Sequence, residues 1–227
     1  MCGRFTLRTP ATAIASMFPL FPQVEFEPRY NIAPGQEILG FQVDSTGAPV
    51  AVQFRWGLVP SWTDDPKIGF RMINARAETI ADKPSFRNAF LQRRCLILAD
   101  GFYEWKQIGK AKQPVYIHLA DDGPFCFAGL WETNTKCEAP LTSATIITTH
   151  ANSLLEPLHH RMPVILRDDA YFDWLNPHQR DKDHLLAMLK PFPTEKMDFY
   201  TVSSKMNKAD YTAPDCIART KSSMLFD

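Results

Sequence analysis

Hydrophobic positions recur along this chain in short bursts, most of them spaced by two. Glu37–Val43 and Val50–Phe54 alternate in this way around the turn-forming Ser45–Pro49, which predicts a β-hairpin. Cys95–Ala99, Val115–Leu119, Phe125–Leu130 and Thr145–Thr149 are short apolar, β-rich runs, and Phe199–Val202 predicts a late strand. Helices are predicted at Thr12–Phe18, Ala77–Ala81, Ser85–Gln92, Asp168–Leu175 and Lys182–Leu189. The 18 prolines keep every element short. Pro34-Gly35 reads as a turn, and Trp56–Trp62, broken by Gly57 and Pro60, as a loop. Short strands interleaved with scattered helices predict an α+β fold. Its centre should be a curved or barrel-like, largely antiparallel sheet with peripheral helices. With no internal repeat and no linker-like stretch, residues 1–227 read as a single domain.

Composition narrows the partners. The chain has 25 basic and 25 acidic residues and no net charge, so no global field draws it to polyanions. Residues 1–110 carry 13 basic against 10 acidic side chains, and the remainder 12 against 15. Charge therefore allows a nucleic-acid site only as a local basic patch in the first half. Five cysteines with no C-x-x-C pair exclude a disulfide framework and a Cys-rich zinc site. Cys95 and Cys126, inside apolar runs, read as core residues, and a reducing cytoplasm would leave Cys2 free. No apolar run reaches the roughly 18 residues of a membrane span, and the start does not resemble a signal peptide. A cytoplasmic protein is expected, nucleoid-associated if the source is bacterial.

The opening Met1-Cys2-Gly3-Arg4 carries the most distinctive chemistry. Loss of Met1 leaves a 1,2-aminothiol. Its amine forms an imine with an aldehyde, and its thiol then closes a thiazolidine ring. The amine can also serve as base for the thiol. Ordinary pKa values of about 8 and about 8.5 put both groups near neutral pH. Four further clusters interrupt apolar surroundings. Asn74-Ala75-Arg76-Ala77-Glu78-Thr79 offers an amide and a phosphate-binding guanidinium, or alternatively a capping segment with a surface ion pair. Asp100-Gly101-Phe102-Tyr103-Glu104-Trp105 sets a carboxylate between aromatics, where desolvation would raise its pKa; the alternative is a half-exposed strand. His159-His160-Arg161-Met162-Pro163 supplies a proton shuttle. Adjacent histidines on a strand point apart, and no H-E-x-x-H spacing occurs, so no metal or other cofactor is expected. Trp56 and Trp62 could stack on unpaired bases or pack their loop, and Thr148-Thr149 could donate hydroxyls at a strand end.

In order along the chain, seven segments resemble one family. They are Met1–Arg4, Arg29–Gly35, Trp56–Pro60, Ile73–Thr79, Asp100–Lys106, Phe127–Glu132 and His159–Pro163. The family is that of the SOS-response-associated peptidases (SRAP), the abasic-site processing proteins of the DNA-damage response. The resemblance spans residues 2 to about 217 and leaves 218–227 as a tail. It implies a groove for single-stranded DNA and a covalent thiazolidine link between Cys2 and the aldehyde of an abasic site. It also implies autoproteolytic loss of Met1 and a minor lyase activity. The family's site residues fall on Cys2, Asn74, Glu104 and His159. Its DNA contacts fall on Arg4 and Arg76, with Trp62 and the Pro34 turn in its DNA-facing loops; the Thr148 hydroxyl is a further candidate DNA contact, or strand filler. A monomer is expected, and no motif after Ala218 points to a replication-fork partner. Two other classes fit a Met-Cys-Gly start: an N-terminal-cysteine peptidase or amidohydrolase, and a non-covalent single-strand-binding module.

Overall fold

The computed structural model describes residues 2–220. In chain order the strands are β1 (Phe5–Leu7), β2 (Arg29–Ile32), β3 (Glu37–Val43), β4 (Pro49–Trp56), β5 (Asn74–Arg76), β6 (Arg94–Ala99) and β7 (Gly101–Ile108). They continue with β8 (Ala111–Leu119), β9 (Phe125–Asn134), β10 (Leu141–His150), β11 (Arg161–Pro163), β12 (Ile165–Leu166) and β13 (Met197–Thr201). Four short helices lie outside them: α1 (Ala11–Met17), α2 (Arg87–Gln92), α3 (Tyr171–Leu175) and α4 (Lys182–Ala187).

Strands β10, β4, β3, β6 and β9 pair in that order, and β9 pairs back onto β10, closing a barrel. Each antiparallel step around a ring reverses direction, so an odd number of strands cannot close on antiparallel pairs alone. The same-direction step falls at β4/β10, the one parallel pair in the ring. Short strands extend it: β5 and β11 on β10, β12 on β9. Every residue of β6 is buried, because the barrel fills one face and α3 covers the other.

A second sheet, β13-β8-β7-β1-β2, is antiparallel throughout. One face packs on the barrel through Phe5 and Phe102, whose rings lie 5.8 and 6.0 Å from Phe127. The other face holds Tyr103 and Tyr116 under the C-terminal segment. Asn31 pins that segment, its amide donating to the carbonyls of Met206, Lys208 and Tyr211 at 2.9–3.0 Å. Asp100 turns the chain from barrel to sheet, and Gly101 follows because a Cβ there would lie 2.1 Å from the Tyr116 hydroxyl. The N-terminal segment thus enters the seam between the two sheets.

The predicted strands and α+β class agree with this architecture. The helices other than α1 are shorter than predicted. Ala77–Ala81 is a single 3-10 turn over Ala77–Thr79, since β5 runs directly into it; Asp168–Leu175 divides into a 3-10 turn and α3. Arg29–Ile32, within a segment read for its turn, is a strand at the end of the second sheet.

Candidate active site

Four elements bring the expected site residues to the N-terminal segment. Beyond Phe5, the Arg4 carbonyl still accepts the Tyr103 N–H at 3.0 Å, so the chain continues along β7 toward Glu104. Cys2 is completely buried, its thiol 3.8 Å from the Arg4 carbonyl. Asn74 opens β5, which runs parallel to β10, and its Nδ2 donates to the Cys2 carbonyl at 2.8 Å. Its Oδ1 is buried and accepts no hydrogen bond among the described residues.

Glu104 lies on β7 with 4% of its surface exposed. Burial pushes its carboxyl above the usual range. The Cys2 thiol is pushed well up, by burial first and then by the charge of Glu104, while the terminal charge pulls the other way. His159 precedes β11. Its Nδ1 accepts the Arg161 N–H at 2.9 Å, which places the ring proton of the neutral form on Nε2. Burial, and then the amino-terminal charge, lower its proton affinity. Its ring stacks on His160 with centroids 4.4 Å apart. A buried carboxyl of raised proton affinity, an imidazole and a cysteine at the N-terminal segment are suited to general acid–base chemistry on a carbonyl.

The expected DNA contacts divide. Arg76 ends β5 and is exposed. Arg4 is half-buried; one Nη donates to the Gly3 carbonyl at 3.0 Å, while Nε is buried with no partner among the described residues. Burial lowers its guanidinium pKa. Trp62 is 57% exposed, but Trp56 is buried, its indole N–H on the Ile73 carbonyl. The Pro34 turn is half-buried and tied to β4 by Gly35 N–H to the Trp56 carbonyl at 2.8 Å. Thr148 is fully buried: its hydroxyl donates to the Ala75 carbonyl at 3.3 Å and accepts from Arg161 at 3.2 Å. From there it supports β5 and Arg161 and cannot reach a DNA strand.

Three features escaped the sequence. Phe70 is 54% exposed beside the Pro34-Gly35 turn, with the Arg55 guanidinium 5.6 Å from its ring centre. Its loop is set by Gly57 and Gly69, where either Cβ would strike the other's backbone at 2.4–2.6 Å. Arg161 is buried and pairs with Glu78 at 2.7 Å, and Glu78 also lies 3.2 Å from His150. Eighty-three residues separate Arg161 from Glu78, so no local pattern signals the pair.

A small closed barrel with an added sheet thus holds a site organised around the chain's own N-terminal segment. The family model for SOS response associated peptidase (SRAP) matches residues 1–209, and the chain belongs to this family. It is 46% identical over 222 residues to the abasic site processing protein YoqW of Bacillus subtilis (strain 168), covering 96% of this chain and 99% of the relative. It is 34% identical over 225 residues to the abasic site processing protein HMCES of Gallus gallus, covering 85% of this chain and 66% of the relative. A crystal structure from Bacteroides thetaiotaomicron superposes with a TM-score of 0.83 at 28% identity, over 96% of this chain and all of that one. Among the described residues no helix is long and apolar enough to cross a membrane.

Proposed function

We propose that this protein processes abasic sites in single-stranded DNA by capturing their open-chain aldehyde on Cys2, after Met1 has been removed. The carrying observation is the completely buried Cys2, its carbonyl held by the Asn74 amide at 2.8 Å and its thiol within reach of the charge of the buried Glu104. Related proteins named for abasic site processing, 46% and 34% identical, support the same substrate.

Hydrolysis of the Met1–Cys2 bond, by the protein itself or by an aminopeptidase, frees the Cys2 amine. The amine's lone pair attacks C1 of the aldehyde. Glu104, its proton affinity raised by burial, donates to the departing oxygen, and water leaves as the imine forms. The His159 Nε2–H assists opening of the sugar by donating to O4′. Asn74 holds the Cys2 carbonyl, and its open Oδ1 is available to the new amine or to a sugar hydroxyl. The buried thiol does not suit a resting thiolate nucleophile, which disfavours the peptidase reading. Once the cationic imine forms beside it, an opposite charge favours thiolate formation. Sulfur then bonds to C1, the C=N electron pair returns to nitrogen, and the thiol proton ends there. The thiazolidine removes the electron sink that β-elimination needs, so the strand stays intact; slow closure would leave a minor lyase activity. Arg4 and Arg76 anchor flanking phosphates without reading sequence.

The test mixes the protein with an abasic single-stranded oligonucleotide, beside Cys2→Ala and Cys2→Ser. The expected result is a heat-stable adduct formed by the wild type alone, at the mass of des-Met1 protein plus DNA less one water. No adduct, with Met1 removed and the abasic site intact, refutes the reading.

A further inference from the structure

His159 and His160 are adjacent in sequence, yet their rings do not point apart. They stack at 4.4 Å with an interplanar angle of 22°. The inner ring is half-buried at the site; the outer one is exposed. The His159 Nδ1 is engaged by the Arg161 N–H at 2.9 Å, so donation toward the site falls to Nε2. The ring therefore has one hydrogen-bonded edge and one covered face, and His160 provides the cover.

We propose that His160 is a positioning residue: stacked on His159, it fixes the plane of that ring and opposes a positive charge on it. This role rests on the function proposed above. Among the described residues, His160 and Arg161 both oppose a positive charge on His159. The Arg161 carbonyl, 3.2 Å from Nδ1, works the other way. Behind Arg161 lie Glu78 at 2.7 Å and, 3.2 Å from Glu78, His150. A doubly charged pair at 4.4 Å is thus disfavoured, and the half-buried ring is the one that water serves less well.

Two unit charges at this separation, at the dielectric constant of water, shift a titration by about 0.7 pH unit, and by more with less screening. Two substitutions at this exposed position separate stacking from charge. His160→Phe keeps an aromatic face and removes the charge; His160→Lys keeps a cation and removes the stack. The His159 ring is followed by histidine-selective NMR against pH, without DNA, and the rate of adduct formation is followed over the same range. In His160→Phe the His159 midpoint should rise by about 0.7 unit, and the acid limb of the rate should rise with it. His160→Lys should leave the midpoint at or below the wild-type value and slow the reaction at every pH. An unchanged midpoint in His160→Phe overturns the proposal, as does a midpoint that moves without the acid limb. Failure of the wild type to form any adduct overturns the function instead, and the NMR result then still decides the electrostatic pairing.

Discussion

Replacing Asp100 by alanine should loosen the strand that delivers Cys2. Asp100 is fully buried where the chain leaves β6 for β7. One carboxylate oxygen accepts from the Thr6 hydroxyl at 2.5 Å. The other accepts the Arg8 N–H at 2.5 Å, the Thr9 N–H at 2.7 Å and the Thr9 hydroxyl at 2.8 Å. Alanine abandons all four donors. The Thr6 hydroxyl can fall back on the Gly101 carbonyl at 3.3 Å, whereas the two half-buried backbone N–H groups show no other protein acceptor among the described residues. At about 2 kcal/mol for each stranded donor, the loss is about 4 kcal/mol. Unfolding entropy of about 2.1 cal/mol/K per residue gives roughly 0.5 kcal/mol/K for this chain, so Tm should fall by about 8 °C. Asparagine can turn its oxygen to the two N–H groups and its NH2 to Thr6, so Asp100→Asn should cost about 1 kcal/mol, or about 2 °C. Calorimetric melting of the three proteins measures this, and adduct formation well below the melt should slow only in Asp100→Ala. An Asp100→Ala protein that melts with the wild type, or an Asp100→Asn protein that falls as far, refutes the reasoning.

Glu104→Gln should slow adduct formation by about 100-fold or more, as loss of a general acid does. Because the folded carboxyl sits above its ordinary 4.5, its favourable contribution to stability is complete below that value and fades as pH rises through the raised one. The Tm of Glu104→Gln should therefore gain on the wild type between pH 4 and pH 8, at roughly the range of ordinary carboxylate to neutral titration; a constant difference would contradict the buried carboxyl. Arg76→Ala should leave Tm unchanged and reduce the slope of log affinity against log salt by about 0.7 for single-stranded DNA. Fluorescence anisotropy in a Cys2→Ala background reads that non-covalent binding, and an unaltered slope would remove Arg76 from the phosphate contacts.

Elements with a strong local signature were legible. The β3/β4 hairpin shows alternation on both sides of a turn that Gly47 makes at φ +86°. The barrel strands showed as apolar runs because β6 is buried on both faces. Strand β2 was hidden because it is only four residues long and runs straight into the Pro34-Gly35 turn, and its polar Asn31 is buried to hold a segment 175 residues away. The Ala77–Ala81 helix failed for a tertiary reason: β5 must stay extended to pair with β10 as far as Arg76, leaving one turn before Ile80 enters the core. At the site, Cys2, Asn74, Glu104 and His159 stood out as polar residues in apolar settings. Thr148 also stood out, but a hydroxyl at a strand end reads the same whether it faces solvent or, as here, the buried Arg161.

The sequence alone determined the candidate groups: a cysteine at position 2, and an amide, a carboxylate and an imidazole in three distant segments. It also determined the class of fold, because strand alternation and proline spacing act over a few residues. Only the tertiary structure decided that these groups meet, that the barrel closes through one parallel pair, and that His160 lies on His159 instead of pointing away. It also decided their proton affinities. The rise at Glu104 and the fall at His159 come first from removal of water, and that takes the packing of one sheet against another.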